Sequence, residues 1–431
     1  MTPAARLCPA DAFSFHGLLA AGDHIVCGQA AAEPLTLTRK LVAQGAAVAP
    51  VTLFLGATLS PTFDGGVPAG MRFFSYGTLG HNASLADRGL LEILPERYSR
   101  IAPLFRAGTL PADVVLLQLA PGRGGRRPSL GLAHDYCVDA ARRARCVVAE
   151  LNAGVPWTHG AELPPDVRID HWVQADTGPV VLLPPAAGAV DVAIGKHVAG
   201  IVPDGATLQA GIGSLPDAVF RQLRGHRHLG LHSGVFGDAA ALLMQAGALT
   251  NTRKGIDAGT SVTNTVVGST DLYRWVDDNP GVQVRPGNYT HAAEVIARIH
   301  CLYAINGALQ VDLTGQVNSE AVGGRQRGGI GGLLDFCHAA RQSDSGGRAI
   351  TVLPATAHGG RQSRIVVDLD GPATVGRGDV DVVVTEFGVA DLRHATLEQR
   401  AERLIAIAAP AFRETLRHAW RKSTWGYRAW H

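Results

Sequence analysis

The sequence is short of lysine, of closely spaced cysteines and of long apolar runs, and each shortage excludes something. Its four lysines are Lys40, Lys196, Lys254 and Lys422, so arginine supplies nearly all of the 39 basic residues; we read that bias as codon composition rather than function. The net charge is only +2, which leaves no basic field to hold nucleic acid. The six cysteines, Cys8, Cys27, Cys137, Cys146, Cys301 and Cys337, show no C-x-x-C and no zinc-like spacing. Reduced, core-filling thiols and no metal are therefore expected. No apolar run approaches bilayer length. Pro9, Asp11 and His16 interrupt the N-terminal stretch MTPAARLCPADAFSFHGLLAAG, so a secretory leader is not expected and the cytoplasm is the expected compartment.

What is present describes a globular protein of two domains: 431 residues, 46% hydrophobic and 18% charged. Strand-like runs at His24 to Gln29, Val48 to Gly56, Arg72 to Tyr76, Asp113 to Ala120 and Cys146 to Leu151 alternate with helical patterns at Pro34 to Val42, Arg97 to Arg106 and Tyr136 to Arg143. Such alternation predicts an α/β fold with a largely parallel sheet covered by helices. The prolines and small residues of LLPPAAGAV, Leu182 to Val190, mark a boundary, giving domains 1–186 and 187–431.

Alternation resumes in the second half, with a single strand expected over Leu302 to Leu313, others at Ala349 to Leu353, Arg364 to Leu369 and Val380 to Thr385, and closing helices over Leu397 to Ala408 and Pro410 to Trp420. The chain centres on Ala206 to Val235, which reads as strand, glycine turn (Gly211-Ile212-Gly213-Ser214), helix and second strand. Pro216 suits a first helical turn and Asp217 favours the positive end of the helix dipole. The glycines leave main-chain N–H groups to face an anion or a thioester oxygen; a tight turn that merely needs small residues is the plain alternative. The first half echoes the pattern, with Gly28 to Pro34 after a strand and before a helix. The arginine-rich loop PGRGGRRP, Pro121 to Pro128, is either a solvated loop or a contact for an anion such as a CoA phosphate.

Six stretches in fixed order, GIGSLPDAV, HLGLHSGV, LQVDLTGQVNSE, GGIGGLLDF, SRIV and DVVVTEFGVADL, resemble the acetyl-CoA hydrolase/transferase family, in particular its 4-hydroxybutyrate CoA-transferases. The resemblance covers nearly the whole chain. It implies two similar open α/β/α domains of the CoA-transferase type, the second carrying the CoA loops. It also implies acyl-CoA and small carboxylates as substrates, with CoA contacts at Gly211, Ile212, Gly213, Ser214, Leu215, Leu309 and Gly332. A homo-oligomer, a dimer, is the expected assembly, without nucleic acid or membrane partners. In the family a glutamate after the His-Ser of the second strand carries CoA as a thioester, and that place here holds Gly234.

CoA exchange between carboxylates calls for a carboxylate nucleophile and an oxyanion hole. Gly331 and Gly332, in the loop before a helix over Leu333 to Arg341, are candidates for the hole; a bend between layers is the alternative. Gln310, Gln316 and Asn318 either orient acyl or pantetheine groups or satisfy backbone groups. Glu33, Glu320 and Glu386 are candidate substitutes for the missing carboxylate, with Glu33 favoured because it lies in the first-half turn; a plain helix-start charge is its alternative. Ser233 beside His232 does not make G-x-S-x-G. Three functions follow: an acyl-CoA transferase using a displaced carboxylate, an acyl-CoA hydrolase using water at Gly234, and a CoA-binding protein without turnover.

Overall fold

The apolar runs of the first half form eight strands: β1 (Leu7–Cys8), β2 (His24–Cys27), β3 (Val51–Phe54), β4 (Met71–Ser75), β5 (Leu91–Ile93), β6 (Val114–Leu119), β7 (Cys146–Leu151) and β8 (His171–Gln174). They make one sheet in the order β1-β8-β7-β6-β2-β3-β4-β5, with parallel pairing from β1 through to β5. Parallel strands are covered on both faces, so their sequences run apolar without alternation. Strand β6, VVLLQL, is buried at all six positions. Helices Leu35–Ala43 and Tyr98–Ala107 lie between successive strands, and Phe15, Ile25, Leu53, Phe73, Leu116, Val148 and Val173 share one core.

The computed structural model describes residues 7–45, 50–183, 185–343 and 345–423. Val48 and Ala49 of the strand expected over Val48 to Gly56, and Pro184 of the expected boundary, lie outside the described residues. Two compact units divide the chain. The first runs to Leu183 and includes Gly234–Phe236 and Thr260–Ala292, the second comprising the remainder. Within the first unit, β11 (Ser261–Val266) pairs in parallel with β12 (Val282–Val284).

In the second unit, β9 (Thr207–Ala210) pairs with the start of β10 (Gly230–Phe236), at Gly230 and Leu231, and with β13 (Leu302–Gly307). The sheet continues to β14 (Arg348–Val352) and β15 (Val382–Thr385), both parallel, and ends in the antiparallel edge strand β16 (Gly388–Asp391). A second core joins Val311, Leu313, Val383, Leu404 and Trp420. The α/β class and the mostly parallel sheets agree with the sequence.

Three expected elements differ. Leu302 to Leu313 is not one strand. After Gly307 the chain changes partners, Leu309 N–H donating to Asn318 O at 2.9 Å, and Gln310–Asp312 joins a small sheet with Val317–Asn318 and Ile365–Val366. The strand expected over Arg364 to Leu369 shrinks to Ile365–Val366, since only that pair has a ladder partner. The last helix starts as a 3-10 turn, Pro410–Phe412, before Arg413–Lys422. Among the described residues no helix is long and apolar enough to cross a membrane.

Candidate functional site

Four side chains of the first unit meet where parallel strands end. Gln29 follows β2 and Tyr76 follows β4, Tyr98 opens the helix Tyr98–Ala107, and Asn264 sits within β11. All are buried. Tyr76 donates to Gln29 Oε1 at 2.6 Å, Gln29 Nε2 donates to Tyr98 Oη at 2.7 Å, and Tyr98 donates to Asn264 Oδ1 at 2.7 Å. Asn264 Nδ2 donates to two main-chain oxygens, His134 O at 2.7 Å and Arg285 O at 3.0 Å. Asp135 anchors the turn by accepting from Gln29 N–H at 3.1 Å, and burial raises its pKa to about 6. Burial, with the nearby Asp135 charge, also pushes the Tyr98 phenol well above its ordinary value. The lack of a side chain at Gly56 lets Gln29 approach, because a Cβ there would stand 2.3 Å from Gln29 Oε1.

His291 joins this cluster. It follows the short helix Gly287–Thr290, its N–H donating to Gly287 O at 3.0 Å, and its ring meets the Tyr98 ring edge-on with centroids 4.7 Å apart. A Cβ on Gly287 would be 3.0 Å from Tyr98 Cε1, so glycine there admits the tyrosine. Nδ1 of His291 lies 2.8 Å from Thr290 Oγ1. On its other side the ring faces Gly234, where an added Cβ would stand 3.0 Å from Nε2 and 3.3 Å from Cε1. Neither Tyr98, Asn264 nor His291 is singled out by the sequence. They come from three separate stretches of the first unit, and only the fold brings them together.

The second unit presents a different kind of feature. Strand β9 ends at Ala210 and the turn runs directly into the helix Ser214–Gln222. Gly213 has φ +126°, a conformation that L side chains rarely adopt. Gly211 and Ile212 are exposed, while Gly213, Ser214 and Leu215 are half-buried. In the other glycine loop Gly331 has φ +51° and Gly332 caps the helix Leu333–Gln342.

Family descriptions match both halves: the acetyl-CoA hydrolase/transferase N-terminal domain over residues 11–183 and its C-terminal domain over residues 268–420. The chain belongs to the acetyl-CoA hydrolase/transferase family. Among its relatives, the 4-hydroxybutyrate coenzyme A transferase of Clostridium kluyveri is 38% identical over 356 residues, covering 81% of this chain and 83% of that protein. The crystal structure of RipA from Yersinia pestis superposes with a TM-score of 0.87 at 30% identity, over 94% of each chain. That of 4-hydroxybutyrate CoA-transferase from Porphyromonas gingivalis does so with a TM-score of 0.79 at 33% identity, over 97% of each. This protein is accordingly an enzyme of CoA transfer or CoA-thioester hydrolysis. The two family matches leave residues 184–267 between them, so the Gly211 turn and Gly234 rest on the wording of their own segment.

Within this hydrolase/transferase frame the candidate residues fall as follows. Glu33 is buried; its Oε1 accepts from Ser60 Oγ at 2.8 Å and Thr38 Oγ1 at 3.1 Å, and burial raises its pKa in spite of those bonds. Glu386 accepts from Ala355 N–H at 2.8 Å, and Glu320 is buried. Ser233 donates to Ala210 O at 2.9 Å, tying β10 to β9. Leu309 is half-buried at the switch between sheets.

The amides beyond Leu309 serve a turn. Asp312 Oδ1 accepts from Thr314 N–H and Gln316 N–H, Gln316 Nε2 donates to Asp312 Oδ2, and Asn318 Nδ2 donates to Ala321 O. In the arginine loop Arg123 pairs with Asp277 at 2.6 Å, Arg126 with Asp278 at 2.6 Å, and Arg127 donates to Pro164 O at 3.2 Å. Among the described residues no group of three or more His, Cys, Asp or Glu could hold a metal ion.

Proposed function

We propose that the protein cleaves acyl-CoA thioesters with water as the acyl acceptor. One observation carries this reading: at the position where the family resemblance implies a CoA-carrying glutamate, Gly234 has no side chain, and the group facing it is the imidazole of His291. A glycine cannot form a glutamyl thioester. Of the substitutes, Glu33 is the best placed in sequence, but its burial favours the protonated acid, which is a poor nucleophile. Acyl-CoA is the substrate, with Gly211, Ile212, Gly213, Ser214, Leu215, Leu309 and Gly332 as proposed CoA contacts and Gly331 and Gly332 as proposed oxyanion donors.

Transfer to a small carboxylic acid through Glu33 is the second reading. It is favoured by the buried Glu33 Oε2, which has no hydrogen-bond partner among the described residues, and by the name of the Clostridium relative. The deciding experiment follows CoA release from an acyl-CoA panel in ¹⁸O-water, with and without added acetate. Hydrolysis predicts release without acetate and ¹⁸O in the product acid. Transfer predicts release only with an acceptor, together with a CoA-derived mass trapped on the peptide containing Glu33. Tight acyl-CoA binding with neither product would make this a binding protein. Light scattering tests the proposed homodimer.

A further inference from the structure

We infer that the Arg364 guanidinium holds an amide carbonyl of the pantetheine arm of CoA, which makes Arg364 a residue that selects for that arm. The inference rests on the reading above that acyl-CoA is the substrate and that Leu309 touches it; it is the same for hydrolysis and for transfer. Its first support is placement, wholly within the second unit. The parallel strands β13, β14 and β15 end side by side, Gly307 opposite Val352 and Val352 opposite Val384, and parallel sheets bind ligands beyond such ends. Arg364 and Glu386 both tie onto Ala355, just past β14: Arg364 N–H donates to Ala355 O at 2.9 Å, and Ala355 N–H donates to Glu386 Oε2 at 2.8 Å. Arg364 Nη1 reaches the carbonyl of Ala308, the residue before Leu309.

The second support is an unmet demand for acceptors. A guanidinium carries five N–H donors. Among the described residues Arg364 makes one side-chain hydrogen bond, Nη1 to Ala308 O at a long 3.4 Å, and its buried Nε has no partner. Burial pulls the guanidinium below its ordinary pKa, and the charge of Glu386 offsets only part of that. Half-buried donors without acceptors cost free energy that an arriving oxygen recovers.

The third support is room. Gly307 is exposed, and a Cβ on it would meet nothing within 4 Å, so the end of β13 leaves space for a thin chain next to the Ala308 carbonyl. Charge then selects the group. A phosphate brought to Arg364 also approaches the Glu386 carboxylate and is repelled by it. A neutral carbonyl accepts from the guanidinium without that repulsion, and the pantetheine arm carries two amide carbonyls between the phosphates of CoA and its sulfur.

The test titrates CoA, pantetheine and the adenosine bisphosphate half of CoA into wild type, Arg364→Met and Gly307→Val by calorimetry, with thermal melts alongside. Arg364→Met keeps the apolar stem and removes the donors. A hydrogen bond from a charged group is worth about 10- to 100-fold in Kd, so CoA and pantetheine should weaken by that factor alike while the bisphosphate binds as before. Tm should hold, because the variant gives up a single long hydrogen bond. Gly307→Val fills space in which nothing stands, so it should fold and should likewise weaken CoA and pantetheine but not the bisphosphate. Losses confined to CoA and the bisphosphate would place Arg364 on a phosphate and overturn the inference. CoA affinity at the wild-type level in either variant would overturn it as well, as would a lowered Tm in Arg364→Met with equal losses for all three ligands. If wild type binds none of the three, the acyl-CoA reading fails and the inference with it.

Discussion

Around His291 the polar side chains are buried and hydrogen-bonded to one another, whereas the Gly211–Leu215 turn is exposed at Gly211 and Ile212, half-buried beyond them, and offers main chain rather than side chains. The first is made of residues whose identity decides what chemistry is available. The second is made of a backbone path, for which residue identity matters mainly at one conformation. If both regions serve the reaction as proposed, a conservative side-chain change should disable the first and only a change of backbone freedom the second.

The largest effect is expected in the turn. Gly213→Val forces a β-branched residue to φ +126°, a strain of about 1–3 kcal/mol, and should abolish acyl-CoA binding by calorimetry while the melting transition persists. Gly211→Ala is the control, since a Cβ there meets nothing within 4 Å; equal losses in both variants would mean that side-chain bulk, not backbone path, matters.

Next comes the junction at Gly234. Gly234→Glu pushes a Cβ against the His291 ring and should destabilise by about 1–3 kcal/mol, as overpacking does. In Gly234→Glu combined with His291→Ala, denaturant melts should show a coupling of about 0.5 kcal/mol or more in the favourable direction. Additive losses would mean that the ring does not occupy the side chain's path. Return of transferase turnover in the double variant would show that the carboxylate alone was missing.

A smaller effect tests the buried carboxyls. Burial raises Glu150 from 4.5 to about 8, so between those values the folded state holds a proton that the unfolded state has released. Stability is then full below about pH 4.5 and falls as pH rises through about 8. Glu150→Gln should remove part of that decline, leaving Tm less dependent on pH across this window. An unchanged slope would assign the decline elsewhere, for example to Glu33, whose shift has the same sign. The smallest effect is at Ala30, which holds φ +53° inside the Gln29 turn. Ala30→Gly should raise stability by up to about 1 kcal/mol in urea melts; a loss would mean that the methyl packing outweighs the strain.

The fold was readable because parallel strands advertise themselves as apolar runs: β7 begins and ends where the pattern places it. Short ladders were not. Ile365–Val366 is a strand only because Gln310–Asp312 comes alongside, and no local pattern encodes that partner. At the site, the glycine turn was legible because its conformational demand falls on a single residue, Gly213. Tyr98 was visible only as part of a helical pattern, and His291 was not singled out. Their contact depends on distant stretches folding together, which neither spacing nor propensity records. Gln316 and Asn318 could be read as ligand-orienting or as structural, and the Asp312 turn and the Ala321 carbonyl take up their hydrogen bonds.

The donors in the Tyr76, Gln29, Tyr98 and Asn264 chain all point the same way. Asn264 must aim its amino group at two carbonyls, so its oxygen is the end that receives Tyr98; Tyr98 must then receive Gln29, and Gln29 must receive Tyr76. Only one set of hydrogen positions satisfies all of them. Two of the four links are amides, which cannot accept a proton at oxygen and release one from nitrogen without becoming an imidic acid. The chain is thus an insulator for protons as well as a brace. A proton gained at either end of that chain cannot be relayed to the other.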